Sequence, residues 1–406
     1  MSSVPIARLA VAVLLLPSVP ALGGSIEIDL PAAFDRAHKL SPAAIAAHDE
    51  VTVAQGAVIT AELAFTENPE IEAGAGLRLT TARPIDAEVR FEQNLELGRR
   101  APRRRLAHAG VAQAHAEGDA ALRALDLEVA SAFYDAMFAE RSAELAQRSE
   151  EFAQRAAEAA DRRSKAGEIT ELDANLARSA LGRARAAQKA ARSERSAAAG
   201  RLGALIGAGP DEILILRGDL RPPPLPDLQA LRAQAANRPD VRVLDAARAV
   251  AAAERDQVQA SALPKLSVWA GYLREDTDAI VLGGLRITLP TWNRGQGEQK
   301  AAAAKERRAI ATRDATARVA ERQIADAIAA YALARDAVDA FEREVVPVLD
   351  DSEQLLQKTI DAGQIAVSDY LVARQEILSG RREYLERLLA FAKAAATARF
   401  VAGGAP

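Results

Sequence analysis

Between Pro69 and Leu97 the chain alternates. Ile71, Ala73, Ala75, Leu77 and Leu79 take the odd positions, with Glu72, Gly74, Gly76, Arg78 and Thr80 between them. After a break at Thr81 to Pro84, Ile85, Ala87, Val89, Phe91, Leu95 and Leu97 alternate with Asp86, Glu88, Arg90, Glu92, Asn94 and Glu96. A period of two sends the two sets to opposite faces of a strand. Two such runs around a turn-like break predict a β-hairpin over 69–97. Each run is about as long as the ~9–11 residues a tilted membrane-spanning strand needs. Taken alone, the hairpin reads better as soluble sheet with one wet face. The rest of the chain changes that reading.

The period elsewhere is helical. A short helix is expected after Ile26–Leu30, and a second from Ser41-Pro42 to about Phe65, where serine suits the cap and proline the first turn. From Gly98 to Ala166 one Ala-rich run carries Leu122, Leu125, Val129 and Phe133 at spacings of three and four, which marks a buried stripe. A helix of that span would be ~100 Å long. Gly167 breaks it and a returning helix is expected to about Ile206. The stretch 208–226, with prolines at 222, 223, 224 and 226, reads as a linker. The series then repeats: a helix to Ala262, a second alternating pair over 265–290 (Leu266, Val268, Ala270, Tyr272, then Val281, Leu285, Ile287, Leu289), a long helix from about Gln296, a break at Gly363, and a return to Phe400. Pro347 should kink the second long helix, since it removes a backbone hydrogen bond. Pro264 follows Pro69 by 195 residues, while Gly363 follows Gly167 and Asp369 follows Asp173 by 196. Strand, turn and helix landmarks keep step, so one unit is duplicated, in segments 22–207 and 227–406.

Composition narrows the class. Aromatic residues are only 4% of the chain while apolar residues are 49%, so Ala, Leu and Val carry the apolar share, as suits long helices packed by small side chains. The net charge of −4, with both signs spread along the chain, offers no basic face for nucleic acid. There is no cysteine, which excludes disulfides, thiolate metal sites and a cysteine nucleophile. Arg8, the apolar run Leu9–Leu16 and Val19-Pro20-Ala21 make residues 1–21 read as a signal peptide. No later run of 18 apolar residues follows, so any membrane segment has to be β. The four histidines (His38, His48, His108, His115) show no i,i+4 pair, and neither a metal site, a cofactor motif nor a catalytic constellation emerges; no enzyme activity is expected.

Two hairpins supply four strands, too few to close a membrane barrel, and open edges are not tolerated in hydrocarbon. If these strands cross a membrane, several chains must pool them. The polar face of the first hairpin, with Glu72, Arg78, Glu88, Arg90 and Glu92, would then line the lumen, and Ile71, Leu77, Val89 and Phe91 would meet lipid.

The layout resembles the TolC-like outer-membrane efflux protein family over nearly the whole mature chain. Leu95-Glu-Leu-Gly98-Arg99-Arg100 and Leu289-Pro290-Thr-Trp-Asn293-Arg294-Gly295-Gln296-Gly297 are similar to phrases of its CzcC-like cation-efflux branch. The resemblance implies a mainly α fold with a small β part, assembled as a homotrimer with a twelve-strand barrel in the outer membrane and a helical tunnel in the periplasm. It also implies a periplasmic adaptor, an inner-membrane pump of the RND type, and metal cations as cargo. The alternatives are a duct for drugs or type I protein secretion, and a periplasmic coiled-coil adaptor. Two departures stand out. There is no cysteine to lipidate, and Val372 and Ile365 occupy places where the archetype has an acid and a basic gate residue.

The resemblance places helix tips near 167 and 363. Glycine supplies the left-handed residue such reversals need. Gly167, Glu168, Ile169, Gly363, Gln364 and Ile365 are therefore expected at the far end of the tunnel, the last two of each trio exposed for adaptor contact. Asp173 and Asp369 sit where a carboxylate favours a helix start. They read as first-turn acids, as an acidic ring at the pore entrance, or as both together.

Overall fold

The computed structural model describes residues 25–77, 85–225, 228–233, 237–276, 278–361 and 364–403. The signal segment, Arg78 and Gly363 lie outside the described residues. Strand β1 (Ser25–Ile28) leads into α1 (Leu30–Leu40) and α2 (Pro42–Glu62). Asp29 caps α1 by accepting from the Ala32 amide at 2.9 Å, and Ser41 caps α2 with Pro42 in its first turn. The first hairpin is β2 (Glu70–Leu77) and β3 (Ile85–Leu95). Helix α3 (Arg100–Lys165) then runs for 66 residues, ~100 Å, and α4 (Glu171–Leu205) returns beside it. The second half gives β4 (Ile213–Leu216), α5 (Leu228–Ala233), α6 (Pro239–Ser261), β5 (Lys265–Glu275), β6 (Asp278–Thr288), α7 (Gln296–Glu344), α8 (Val346–Asp361) and α9 (Val367–Val401). The fold is mainly α with a small β part, and the two halves repeat one plan.

Two expectations need correction. The connecting piece is not wholly irregular, because β4 pairs in parallel with β1, Ser25 opposite Ile213 through Ile28 opposite Leu216. Four-residue strands carry too little alternation to be seen in sequence. The early helix also ends at Glu62 and not at Phe65, its last carbonyls being taken by arginines of α3. Arg103 donates to the Ala61 and Leu63 oxygens, and Arg100 to that of Glu62. The helix break near Pro347 falls at Val345, between α7 and α8.

The helices form a row. α2 packs on α3, α3 on α6, and α6 on α7, while α4 lies against α3, and α9 against α3 and α7. The main core sits at mid-height, where α1 crosses the long helices. Leu125, Val129, Phe133, Tyr134 and Met137 of α3 meet Leu202 of α4 and Ile206 at its C-cap, Tyr331 and Val338 of α7, and Phe391 of α9. Phe34 of α1 closes it with an edge contact to Phe400 at 5.6 Å. Within this core Asp126 is 1% exposed and is held by His38 at 2.6 Å and Arg123 at 3.3 Å. That pairing explains one of the four histidines structurally. Gly207 ends α4 at φ +65°, where a β-carbon would stand 2.6 Å from the Leu40 side chain, so only glycine lets α4 finish against α1.

Candidate functional site

The second sheet has the order β2-β3-β5-β6, every pair antiparallel. Its register puts Glu72 opposite Arg90, Gly74 opposite Glu88, and Glu92 between Glu70 and Trp269. Residues directly opposite share a face. Glu72, Glu88, Arg90 and Glu92 therefore stand together on one side. On that side Glu92 accepts from Ser267 Oγ at 2.7 Å and pairs with Arg286 two strands away. Ile71, Leu77, Ile85, Val89 and Phe91 share the other side with Tyr272, Val281, Leu285 and Ile287. All nine are exposed, Val281 at 79%. An apolar patch of this extent is not left to water in a soluble protein. Both outer strands, β2 and β6, have an unpaired edge.

One detail of the polar side was not legible in the sequence. Trp269 lies flat over Gly284, where a β-carbon would come within 3.0 Å of its ring, and the Arg90 guanidinium stacks on it 4.4 Å from the centroid. The ring thus ties β3, β5 and β6 together through a position where any side chain would press against it. Gly284→Val should expel the ring and destabilise the sheet by about 1–3 kcal/mol. A urea titration followed by Trp269 emission in a Trp292→Phe background checks this, and an unchanged midpoint and spectrum would refute it.

The helix tips form the second candidate region. Gly167 adopts φ +77°, its amide donating to the Ser164 oxygen while the Glu168 amide reaches the Arg163 oxygen at 2.9 Å. Glu168 is exposed and pairs with Arg163 at 3.3 Å. Gln364 is exposed as well. Ile169 and Ile365 are half-buried, contrary to the exposure expected for them. Ile169 packs on Ala157, Ala160, Ala177 and Val367, and Ile365 on Ala156, Leu356, Tyr370 and Ile377. The tips meet each other across these isoleucines, because Val367 begins α9 and Ala177 belongs to α4.

The duplicated acids part company. Asp173 closes a capping box: its amide donates to Thr170 Oγ at 3.2 Å, and its carboxylate accepts from the Thr170 amide and hydroxyl at 3.3 and 2.8 Å. The Thr-x-x-Asp spacing carried that signal in the sequence. Asp369 has Ala366 at the cap, with no side-chain cap, and among the described residues its carboxylate makes no ion pair or hydrogen bond.

Above the tips is a cluster that the sequence did not reveal. Arg374, 9% exposed, donates to Glu353 at 2.9 Å and stacks on Phe152 of α3 at 4.0 Å, while Arg381 bonds both Glu353 and Asp350. Burial disfavours the charged Glu353, but the two arginines outweigh it and hold its carboxyl below the usual range. Higher up, Tyr384 stacks on Phe341, and burial together with a 2.8 Å hydrogen bond to Glu342 pushes its pKa to about 12. α8, α9 and α3 are thereby pinned by charge as well as packing. Among the described residues no group of histidines and acids is arranged to hold a metal ion, and no helix is long and apolar enough to cross a membrane.

Comparison with known proteins follows the same geometry. The chain is similar to the solved structure of CusC, with a TM-score of 0.77 and 16% identity over 93% of this chain and 92% of that one. It is similar to the CmeC outer-membrane channel of Campylobacter jejuni (TM-score 0.74, 16% identity, 92% and 85% covered). The open state of the MtrE outer-membrane channel of Neisseria gonorrhoeae matches at 0.74, with 20% identity over 92% and 89%. At these identities the likeness speaks for the fold. No curated protein matches the chain in sequence. The family model described as outer membrane efflux protein matches residues 47–208 and 230–404, one span in each repeat. With a two-stranded β-hairpin leading into a long helical hairpin in each half, the chain belongs to the outer membrane efflux protein family.

Proposed function

We propose that three copies of this chain form the outer-membrane exit duct of a tripartite efflux system, pooling their strands into a barrel of about twelve. The observation that carries this is the four-stranded sheet: one face broadly apolar and exposed, the other charged, and both edges open. Such a sheet is unstable in water and incomplete in lipid until its edges are paired. In this reading Ile71, Leu77, Val89 and Phe91 meet lipid, and Glu72, Arg78, Glu88, Arg90 and Glu92 line the lumen. The helices enclose a tunnel in the periplasm, whose far end carries Gly167, Glu168, Gly363 and Gln364. The exposed Glu168 and Gln364 meet a periplasmic adaptor, and the half-buried Ile169 and Ile365 hold the tips together beneath them. An inner-membrane pump of the RND type supplies the energy, and metal cations are the cargo.

The acidic ring at the tunnel entrance rests on Asp369 more than on Asp173, whose carboxylate is spent on its own helix cap. Asp369→Ala should lower cation selectivity in planar-bilayer recordings, visible as a reversal potential shifted toward zero in a salt gradient, and Asp173→Ala should act mainly through tip stability. Absence of any conductance from the purified chain would overturn the duct, and an unchanged reversal potential in Asp369→Ala would remove the ring.

A further inference from the structure

Above the helix tips, four arginines converge on one cavity that joins the two repeats. Arg141 and Arg148 reach it from α3, and Arg374 and Arg381 from α9, each pair seven positions apart and so on one helical face. The cavity is about 350 Å³ in volume, and α8 closes it with Glu353. Space of that size holds a small ligand. Guanidinium groups this close repel one another unless anions stand between them. The carboxylates of the chain meet that need only in part. Glu144, also on the cavity wall, pairs with Arg141 at 3.2 Å. Glu353 is shared between Arg374 and Arg381, and Asp350 meets Arg381 as well. Three carboxylates thus answer four guanidiniums. Arg148 is the one left over: it is exposed and, among the described residues, has no side-chain partner.

Arg374 is the centre of the arrangement. It is 9% exposed and stacks on Phe152 of α3 at 4.0 Å, which fixes the plane of its guanidinium. Of the N–H donors a guanidinium carries, Glu353 takes one, from Nη1, and the enclosed Nε has no hydrogen-bond partner. Buried donors in folded proteins are nearly always bonded, so a cation this deep with so few partners is incompletely satisfied. A merely solvated basic face would leave all of its arginines in water, and here the central one is buried. Guanidinium forks match the oxygens of phosphates and carboxylates two at a time. Several forks around one space therefore suit a single anion better than water.

We infer that this cavity binds a small oxyanion with several acceptor oxygens, a phosphate or polycarboxylate, held by Arg148, Arg374 and Arg381. Bound there, it ties α3 of the first repeat to α8 and α9 of the second. The site lies within one chain, so it stands or falls independently of the duct reading above. Arg374 is packed too deeply to remove safely, and the test therefore uses the exposed Arg148. The detergent-solubilised protein is titrated calorimetrically with pyrophosphate and with citrate at fixed ionic strength, because salt screens diffuse attraction. One anion should bind per chain, and Arg148→Gln should weaken it about ten- to a hundredfold, the worth of a charged hydrogen bond. Arg318→Gln removes another exposed arginine, on α7, that has no side-chain partner among the described residues. It should bind the anion like the unaltered chain. Binding of citrate alone would assign carboxylates to the site, and binding of pyrophosphate alone would assign phosphates. No binding of either anion would overturn it. Equal weakening by both variants would overturn it too, since the attraction would then belong to the charged surface as a whole.

Discussion

Val89→Arg should nearly abolish assembly into the outer membrane, whereas Glu88→Arg, one residue away, should assemble normally. Val89 lies mid-strand on the apolar face, opposite Ala73 and Tyr272, and Glu88 lies on the charged face opposite Gly74 and Leu273. Arginine on the lipid side of a barrel costs about 2–4 kcal/mol near the bilayer midplane, while lumenal substitutions change selectivity more than stability. In a trimer the cost falls on three sites of one barrel. The measurement is the yield of heat-labile trimer in outer-membrane fractions. Equal yields from the two variants would mean that the faces are assigned the wrong way or that the sheet never meets lipid.

Phe133→Ala should lower stability by about 3–5 kcal/mol, the range for deleting a buried aromatic side chain. Phe133 is 2% exposed at the level where α1, α3, α4, α7 and α9 converge, and its ring meets Tyr134 edge-on at 5.9 Å. Among the described residues the other buried clusters, around Ile324, Tyr370 and Val367, are small, so the loss there has little neighbouring core to offset it. Phe133→Leu keeps most of the volume and should cost under about 1.5 kcal/mol. Urea titration of the detergent-solubilised protein would separate the two. A midpoint for Phe133→Ala close to that of the unaltered chain would show that this level of the fold is not its main anchor.

These two residues also show which parts of the molecule the sequence exposes. The alternation around Val89 is an intrinsic, local signal with a period of two, and it located both hairpins to within a few residues. The stripe containing Leu125, Val129 and Phe133 is equally local, and so was the length of α3. The β1–β4 pair was missed because its signal is four residues long and the partner of β1 lies in the stretch that connects the two repeats. The clamp of Trp269 by Gly284 and Arg90 depends on three strands being in register, which no single stretch of chain encodes. At the tips, sequence placed Asp173 and Asp369 in equivalent positions but did not separate them. What separates them is a hydroxyl at position 170 and a methyl at position 366. The burial of Ile169 and Ile365 arises from contact between the two repeats, which becomes visible only once both tips are placed.

The parallel pairing of β1 with β4 carries a consequence for timing. In an exported chain β1 emerges early, but β4 follows only after the entire first helical hairpin has been delivered. Until then the backbone of β1 has no strand to bond, and α1 has no finished α4 to close against at Gly207. The first repeat is thus sealed late, by the connecting stretch that follows it, and closing so long a loop is slow compared with local helix formation. A chain that stops before Leu216 would leave β1 without the strand it pairs with, and the first repeat without the contact that closes it.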